Sequence, residues 1–162
     1  MPKLRAVIFD WRGTLATTLT PTDWVRCGLA SLGSDSSPDV VAELVQRIDQ
    51  ASGDPDRLDA PGIDADTNLH RETYYRVFAD ADLDDSLADA LYAVESDPIY
   101  NPFVVDAGQV MRTLVEADCR VGILSDIHFD VRPAFDDNGM DELVESYVLS
   151  FEHGVQKPDP RI

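Results

Sequence analysis

Three polar residues stand where short apolar runs end or turns begin: Asp10 after Leu4–Phe9, Ser125 at the end of Arg120–Ser125, and Lys157 in a Lys-Pro-Asp-Pro turn. A carboxylate, a hydroxyl and an ammonium gathered in one place form a covalent group-transfer set. The carboxylate attacks, and the hydroxyl and ammonium hold the anionic group. Each alone is commoner as a turn residue, a helix cap or a solvated charge. The set gains force from its order along the chain and from the strand ends that carry it.

The elements that must position these residues follow from patterning. Leu4–Phe9 (LRAVIF), Arg120–Ser125 (RVGILS) and Ser146–Ser150 (SYVLS) read as strands. Between the first two, the spacing predicts helices from a Thr22 cap to Gly33, from Ser37-Pro38 through Ile48, from Thr67 through Phe78, and from Asp84 or Asp85 through Val94. Asp106 is expected to cap a further helix with Val110, Met111, Leu114 and Val115 inward, and Asp130–Asn138 to form a short one. The ends of the chain alternate strand and helix, which implies a parallel α/β sheet, and open parallel sheets bind ligands at their C-terminal strand ends. Residues 1–16 and 101–162 are expected to form an α/β core, and 17–100 a helical cap inserted into it.

In that setting Phe9-Asp10-Trp11-Arg12-Gly13-Thr14-Leu15 resembles the first motif of the haloacid dehalogenase-like (HAD) superfamily. Val121–Ser125 with Asp126 is similar to its second motif and Lys157-Pro158-Asp159-Pro160 to its third, and the helical insertion falls where one branch keeps its cap. The resemblance implies a Rossmann-like sheet and a hydrolase. Asp10 would be the nucleophile of an aspartyl intermediate, and Thr14 would hydrogen-bond near it. Ser125 would bind the transferring group, and Lys157 would offset the gathered charge. It also implies Mg²⁺ held by the Asp10 carboxylate and the carbonyl of Arg12, and a small phosphorylated or halogenated metabolite as substrate.

Two departures qualify this. Phosphatases of that superfamily carry a second Asp where this chain has Arg12, to protonate the leaving oxygen. Arginine stays protonated and cannot do so, and losing a general acid typically costs ~10²–10⁴-fold. A halide or an acyl phosphate leaves without that proton, and dehalogenases and phosphonate-cleaving members also lack the Asp. Arg12 then either binds an anion or pairs with a surface acid. Second, the acidic fourth motif is absent before Ile162, so the sheet and the Mg²⁺ site are expected to be incomplete. A homo-oligomer or a missing C-terminal segment would complete the sheet. The competing reading is a degenerate, non-catalytic member that binds an anionic ligand or a partner protein.

Other residues carry weaker signals. Asp126, His128 and Asp130 lie beside the second motif, and His128 either meets substrate or caps the next helix. Asp54, Asp56, Asp59, Asp64 and Asp66 share one loop, but lack the glycine and terminal glutamate of a calcium loop. Trp24, Tyr74, Tyr75 and Phe78 either line a pocket or pack a helix face. The 162 residues carry 13 basic and 31 acidic side chains, a net charge of −18. Such a charge opposes nucleic acid and anionic membranes as partners. No apolar run approaches the ~20 residues a membrane helix needs. Cys27 and Cys119 lack metal or redox spacing. A cytoplasmic protein acting on a small anionic molecule is expected.

Overall fold

The computed structural model describes residues 4–162. Among these residues three strands form, β1 (Ala6–Phe9), β2 (Arg120–Ser125) and β3 (Ser146–Leu149), all parallel in the order β1-β2-β3. Phe9 lies opposite Ile123, and Ser125 opposite Leu149, so the C-terminal strand ends share one edge of the sheet. β1 starts two residues later than the apolar run suggests. β3 stops at Leu149 because Ser150 already opens a helix.

Among the described residues seven helices accompany the sheet: α1 (Pro21–Ser31), α2 (Pro38–Ser52), α3 (Thr67–Asp80), α4 (Asp85–Glu95), α5 (Ala107–Glu116), α6 (Arg132–Asp137) and α7 (Ser150–His153). Their starts follow local chemistry. Asp66 accepts from the N–H groups of Asn68 and Leu69, and Asp84 from that of Leu87, which satisfies donors a helix leaves orphaned. α1 is capped by Thr20 and not by Thr22. The Thr20 hydroxyl accepts from the Asp23 N–H at 3.1 Å, and Pro21 fills the first helical position. A proline there, with its φ already helical, draws the start upstream. Asp106 occupies the cap position of α5 without a side-chain capping bond. On α5, Ala107 and Met111 are buried, whereas Val110 and Val115 are exposed. These two valines fall at the margins of the apolar stripe, and the helix covers β2 with its centre alone.

The buried side chains fall into two clusters. One joins α1–α4 through Trp24, Val25, Leu29, Val41, Leu44, Val77, Phe78 and Leu91. Gly28 lets α1 and α4 approach, since a Cβ there would stand 2.7 Å from Leu91 Cδ2. The other packs Trp11, Met111, Val121, Ile123, Phe135 and Leu149 around the sheet. The chain passes between them at a narrow neck. Ala16 bridges Phe103 in antiparallel fashion, the Thr17 N–H bonds to the Pro102 carbonyl at 2.9 Å, and the Val104 N–H bonds to the Leu15 carbonyl at 2.9 Å. Among the described residues no helix is long and apolar enough to cross a membrane.

Candidate active site

β1 delivers Asp10 and β2 delivers Ser125 to the same edge because the two strands are parallel and in register. The Ser125 hydroxyl donates to Asp10 Oδ1 at 2.8 Å, and the Trp11 N–H donates to the same oxygen at 2.7 Å. Lys157, beyond α7, places Nζ 2.8 Å from Asp10 Oδ2 and 3.4 Å from the Leu124 carbonyl. Its own N–H is fixed by Asp126 Oδ1 at 2.9 Å. Burial raises the Asp126 carboxyl above its ordinary pKa, with Lys157 opposing. Ser125 is fully buried, while the Asp10 side chain keeps 41% exposure. The carboxylate is thus oriented by three donors yet open to an incoming molecule. The structure brings together the three residues singled out for chemistry, and Asp126 with them.

Arg12 turns away from that carboxylate. Its guanidinium meets Glu95 Oε1 at 2.6 Å and the Glu95 carbonyl at 3.1 Å, with Asn101 Oδ1 at 3.4 Å. Glu95 ends α4, so the partner is an acid of the helical cluster and not a free surface acid. Nothing in the spacing of Glu95 or Asn101 announces this role; it arises from the fold bringing the end of α4 onto the loop after β1. A cavity of ≈ 160 Å³ adjoins Arg12, Glu95, Asn101, Trp24 and Thr18. Glu95→Ala strands a partly buried guanidinium, and the expected cost is about 1–3 kcal/mol, read from urea unfolding. Thr14 is exposed, and it serves the loop through its N–H, which bonds to the Trp11 carbonyl at 3.2 Å. Gly13 takes φ 78° in the same loop, a left-handed turn that glycine makes without strain.

Mg²⁺ asks for a near-octahedral set of oxygen donors. Here Asp10 is already bonded by an ammonium, a hydroxyl and an N–H, and Arg12 brings a guanidinium where a second carboxylate would serve, leaving its carbonyl alone to offer. The described residues do not fit a Mg²⁺ centre.

His128 lies in the loop after β2 and is 1% exposed. Its Nε2 sits 3.0 Å from the Ser96 hydroxyl, and its carbonyl accepts from the Thr67 hydroxyl at 2.6 Å. Its ring stacks on that of His70 from α3, with centroids 3.4 Å apart. Asp64, from the acidic loop, approaches both rings. Burial and the adjacent His128 push the His70 pKa down to about 3, with Asp64 pulling the other way. Burial raises the Asp64 carboxyl, but His128, His70 and Arg12 outweigh it and leave it below its ordinary value. Two of the other loop acids have local duties: Asp56 accepts from Ser52 and from the Leu58 N–H, and Asp66 caps α3. Trp24, Tyr74 and Phe78 are packed within the helical cluster, with Tyr75 at its edge.

No protein family model matches the sequence, and no curated protein does so either. Solved structures do match. One described as a dehalogenase shares 22% identity at a TM-score of 0.58, covering 99% of this chain and 69% of its own. The L-2-haloacid dehalogenase from Xanthobacter autotrophicus shares 23% identity at a TM-score of 0.59, covering 98% of this chain and 61% of its own. It has also been solved with chloropropionic acid covalently bound. A HAD phosphatase from Thermococcus onnurineus shares 19% identity at a TM-score of 0.54, covering 98% of this chain and 67% of its own.

Proposed function

We propose that this chain, which has the haloacid dehalogenase-like fold, is a hydrolase that works through an ester on the Asp10 carboxylate. The substrate class is a small anionic molecule whose leaving group departs without a proton, a 2-haloacid foremost. One observation carries this reading. Asp10 is held by Ser125 and Lys157 and is open to solvent, while the residue two places on is an arginine bonded to Glu95. That arrangement supplies a positioned nucleophile and no acid at the place where an alkoxide leaving group would need one. The likeness to dehalogenases, one of them solved with chloropropionic acid covalently bound, supports the same choice.

The chemistry balances without a cofactor. An Asp10 oxygen attacks the carbon bearing the halogen and forms a C–O bond, while the C–halogen bond breaks and the halide leaves with its electron pair. Lys157 and Ser125 hold the carboxylate so that one oxygen lone pair faces the incoming carbon. Water then adds to the Asp10 carboxyl carbon, the acyl–oxygen bond breaks, and a hydroxy acid departs with the original Asp10 oxygen. The net change consumes one water and releases one proton and one halide. A single turnover of 2-chloropropionate in ¹⁸O-water, with protein in excess, tests the pathway. Chloride release is expected, with ¹⁸O in the Asp10 peptide and not in the lactate. Label in the lactate, or release of phosphate from p-nitrophenyl phosphate with no chloride from the haloacid, would overturn the reading. Stabilisation by haloacid without any turnover would favour the non-catalytic alternative.

A further inference from the structure

A second cluster of chemistry-bearing side chains shares no residue with Asp10, Ser125 and Lys157. Asp64 Oδ1 stands 3.8 Å from His70 Nε2 and 3.6 Å from His128 Nδ1, too far for hydrogen bonds. The ligating atoms of all three residues lie within 4.8 Å of one another. Both imidazoles are almost wholly buried, and the Nδ1 of His128 has no hydrogen-bond partner. A buried ring nitrogen left without a partner, aimed at a carboxylate beyond bonding distance, needs a reason.

The opposite ring atoms supply one. His70 Nδ1 sits 3.3 Å from the Tyr92 hydroxyl, and His128 Nε2 sits 3.0 Å from that of Ser96. When those hydroxyls accept, the ring protons stay on the far nitrogens. The lone pairs of His70 Nε2 and His128 Nδ1 then converge on the Asp64 carboxylate. This is the outer-shell pattern by which histidine ligands are oriented towards a metal. Two neutral imidazoles and one carboxylate suit a borderline divalent cation better than Mg²⁺ or Ca²⁺, which prefer oxygen throughout. Donors around a tetrahedral zinc stand about 3.4 Å apart, given metal–ligand bonds near 2.0–2.1 Å. The two separations from Asp64 Oδ1 therefore need to shrink by a few tenths of an ångström. The two rings, now 12° from parallel, must also splay so that their lone pairs meet.

We propose that Asp64, His70 and His128 form a binding site for a zinc-like divalent cation, with water in the remaining position. Asp64 and His70 belong to the helical part, and His128 to the loop after β2. The ion would tie the loop before α3 and α3 itself to the loop after β2. A net charge of −18 further favours cation uptake.

Chelator-treated protein titrated with zinc chloride or cobalt chloride provides the test. One ion per chain is expected, with a Tm rise of about 5–10 °C at a hundredfold excess over Kd. The cobalt form should show visible absorption characteristic of nitrogen and oxygen ligands, and magnesium chloride should leave the Tm unchanged. Asp64→Asn and His128→Gln should each weaken zinc binding at least about tenfold, and Ser96→Ala by a similar factor through loss of ring orientation. Asp64 is partly exposed, so Asp64→Asn keeps the test valid if the histidine variant fails to fold. The proposal falls if zinc does not bind stoichiometrically, if Asp64→Asn binds it as well as the parent, or if magnesium stabilises equally. The first outcome would mean that the three side chains hold no metal. The other two would assign the ion to the acidic surface.

Discussion

Asp10→Asn is expected to lower haloacid turnover by about 10⁴-fold or more, the loss seen when the nucleophile of a cooperating set is removed. The substitution is nearly isosteric. The Asn carbonyl can still accept from Ser125 and from the Trp11 N–H, which now hold Oδ1 at 2.8 and 2.7 Å. What disappears is the negative oxygen 2.8 Å from Lys157 Nζ. That pair is about one-third exposed, so its contribution to stability is small, and the variant should melt within a few degrees of the parent. Activity and stability are thereby separated. A variant that melts normally and retains turnover within tenfold of the parent would remove Asp10 from the chemistry. The intact-mass readout is independent: the parent should trap an ester adduct on brief exposure to substrate, and the variant should not.

The largest stability effect is expected from Phe78→Ala. Phe78 is 1% exposed and packs against Trp24, Tyr74 and Tyr75, with ring centroids 5.9, 5.9 and 6.0 Å away. Truncating a buried phenylalanine costs about 3–5 kcal/mol, the sum of lost transfer energy and the cavity left behind. For a chain of this size that corresponds to a Tm roughly 10 °C lower. Trp24 and Tyr74 cannot both move into the space without breaking their own edge-on contact at 6.3 Å, which argues for the upper half of the range. The check is a thermal melt followed by circular dichroism. Trp24 fluorescence should also shift to the red at 25 °C as its neighbour is lost. A loss below about 1 kcal/mol would show that the helical cluster repacks freely.

Much of this was legible in the residues. The strand at Arg120–Ser125 has the bounds its apolar run suggested, and the helices beginning at Pro38, Thr67 and Asp85 begin where proline and aspartate signals stand. Those signals are local, so a linear reading finds them. The convergence of Asp10, Ser125 and Lys157 was legible because strand ends in a parallel sheet share an edge. The less legible parts depend on contacts between distant segments. Arg12 finds Glu95 at a sequence separation of 83, and His128 finds His70 by stacking across the two clusters. Periodicity holds no record of either. α1 starts two residues before the Thr22 cap predicts, because Thr20 and Thr22 both resemble caps and only Thr20 precedes the proline. Val110 and Val115 look like core residues by type, but their exposure is set by how little of α5 the sheet can cover.

The neck at Ala16 and Phe103 has a consequence for how such a molecule can change over generations. Entry and exit of the helical insertion lie side by side, joined by main-chain bonds between Thr17 and Pro102 and between Leu15 and Val104. Main-chain pairing is indifferent to side-chain identity. A recombination event that exchanged everything between those points would keep Asp10, Ser125 and Lys157, and would have to supply new partners for Arg12 and the His128 carbonyl in place of Glu95 and Thr67. The Asp10, Ser125 and Lys157 cradle and the helical insertion are thus joined through few points, so the two can diverge at different rates.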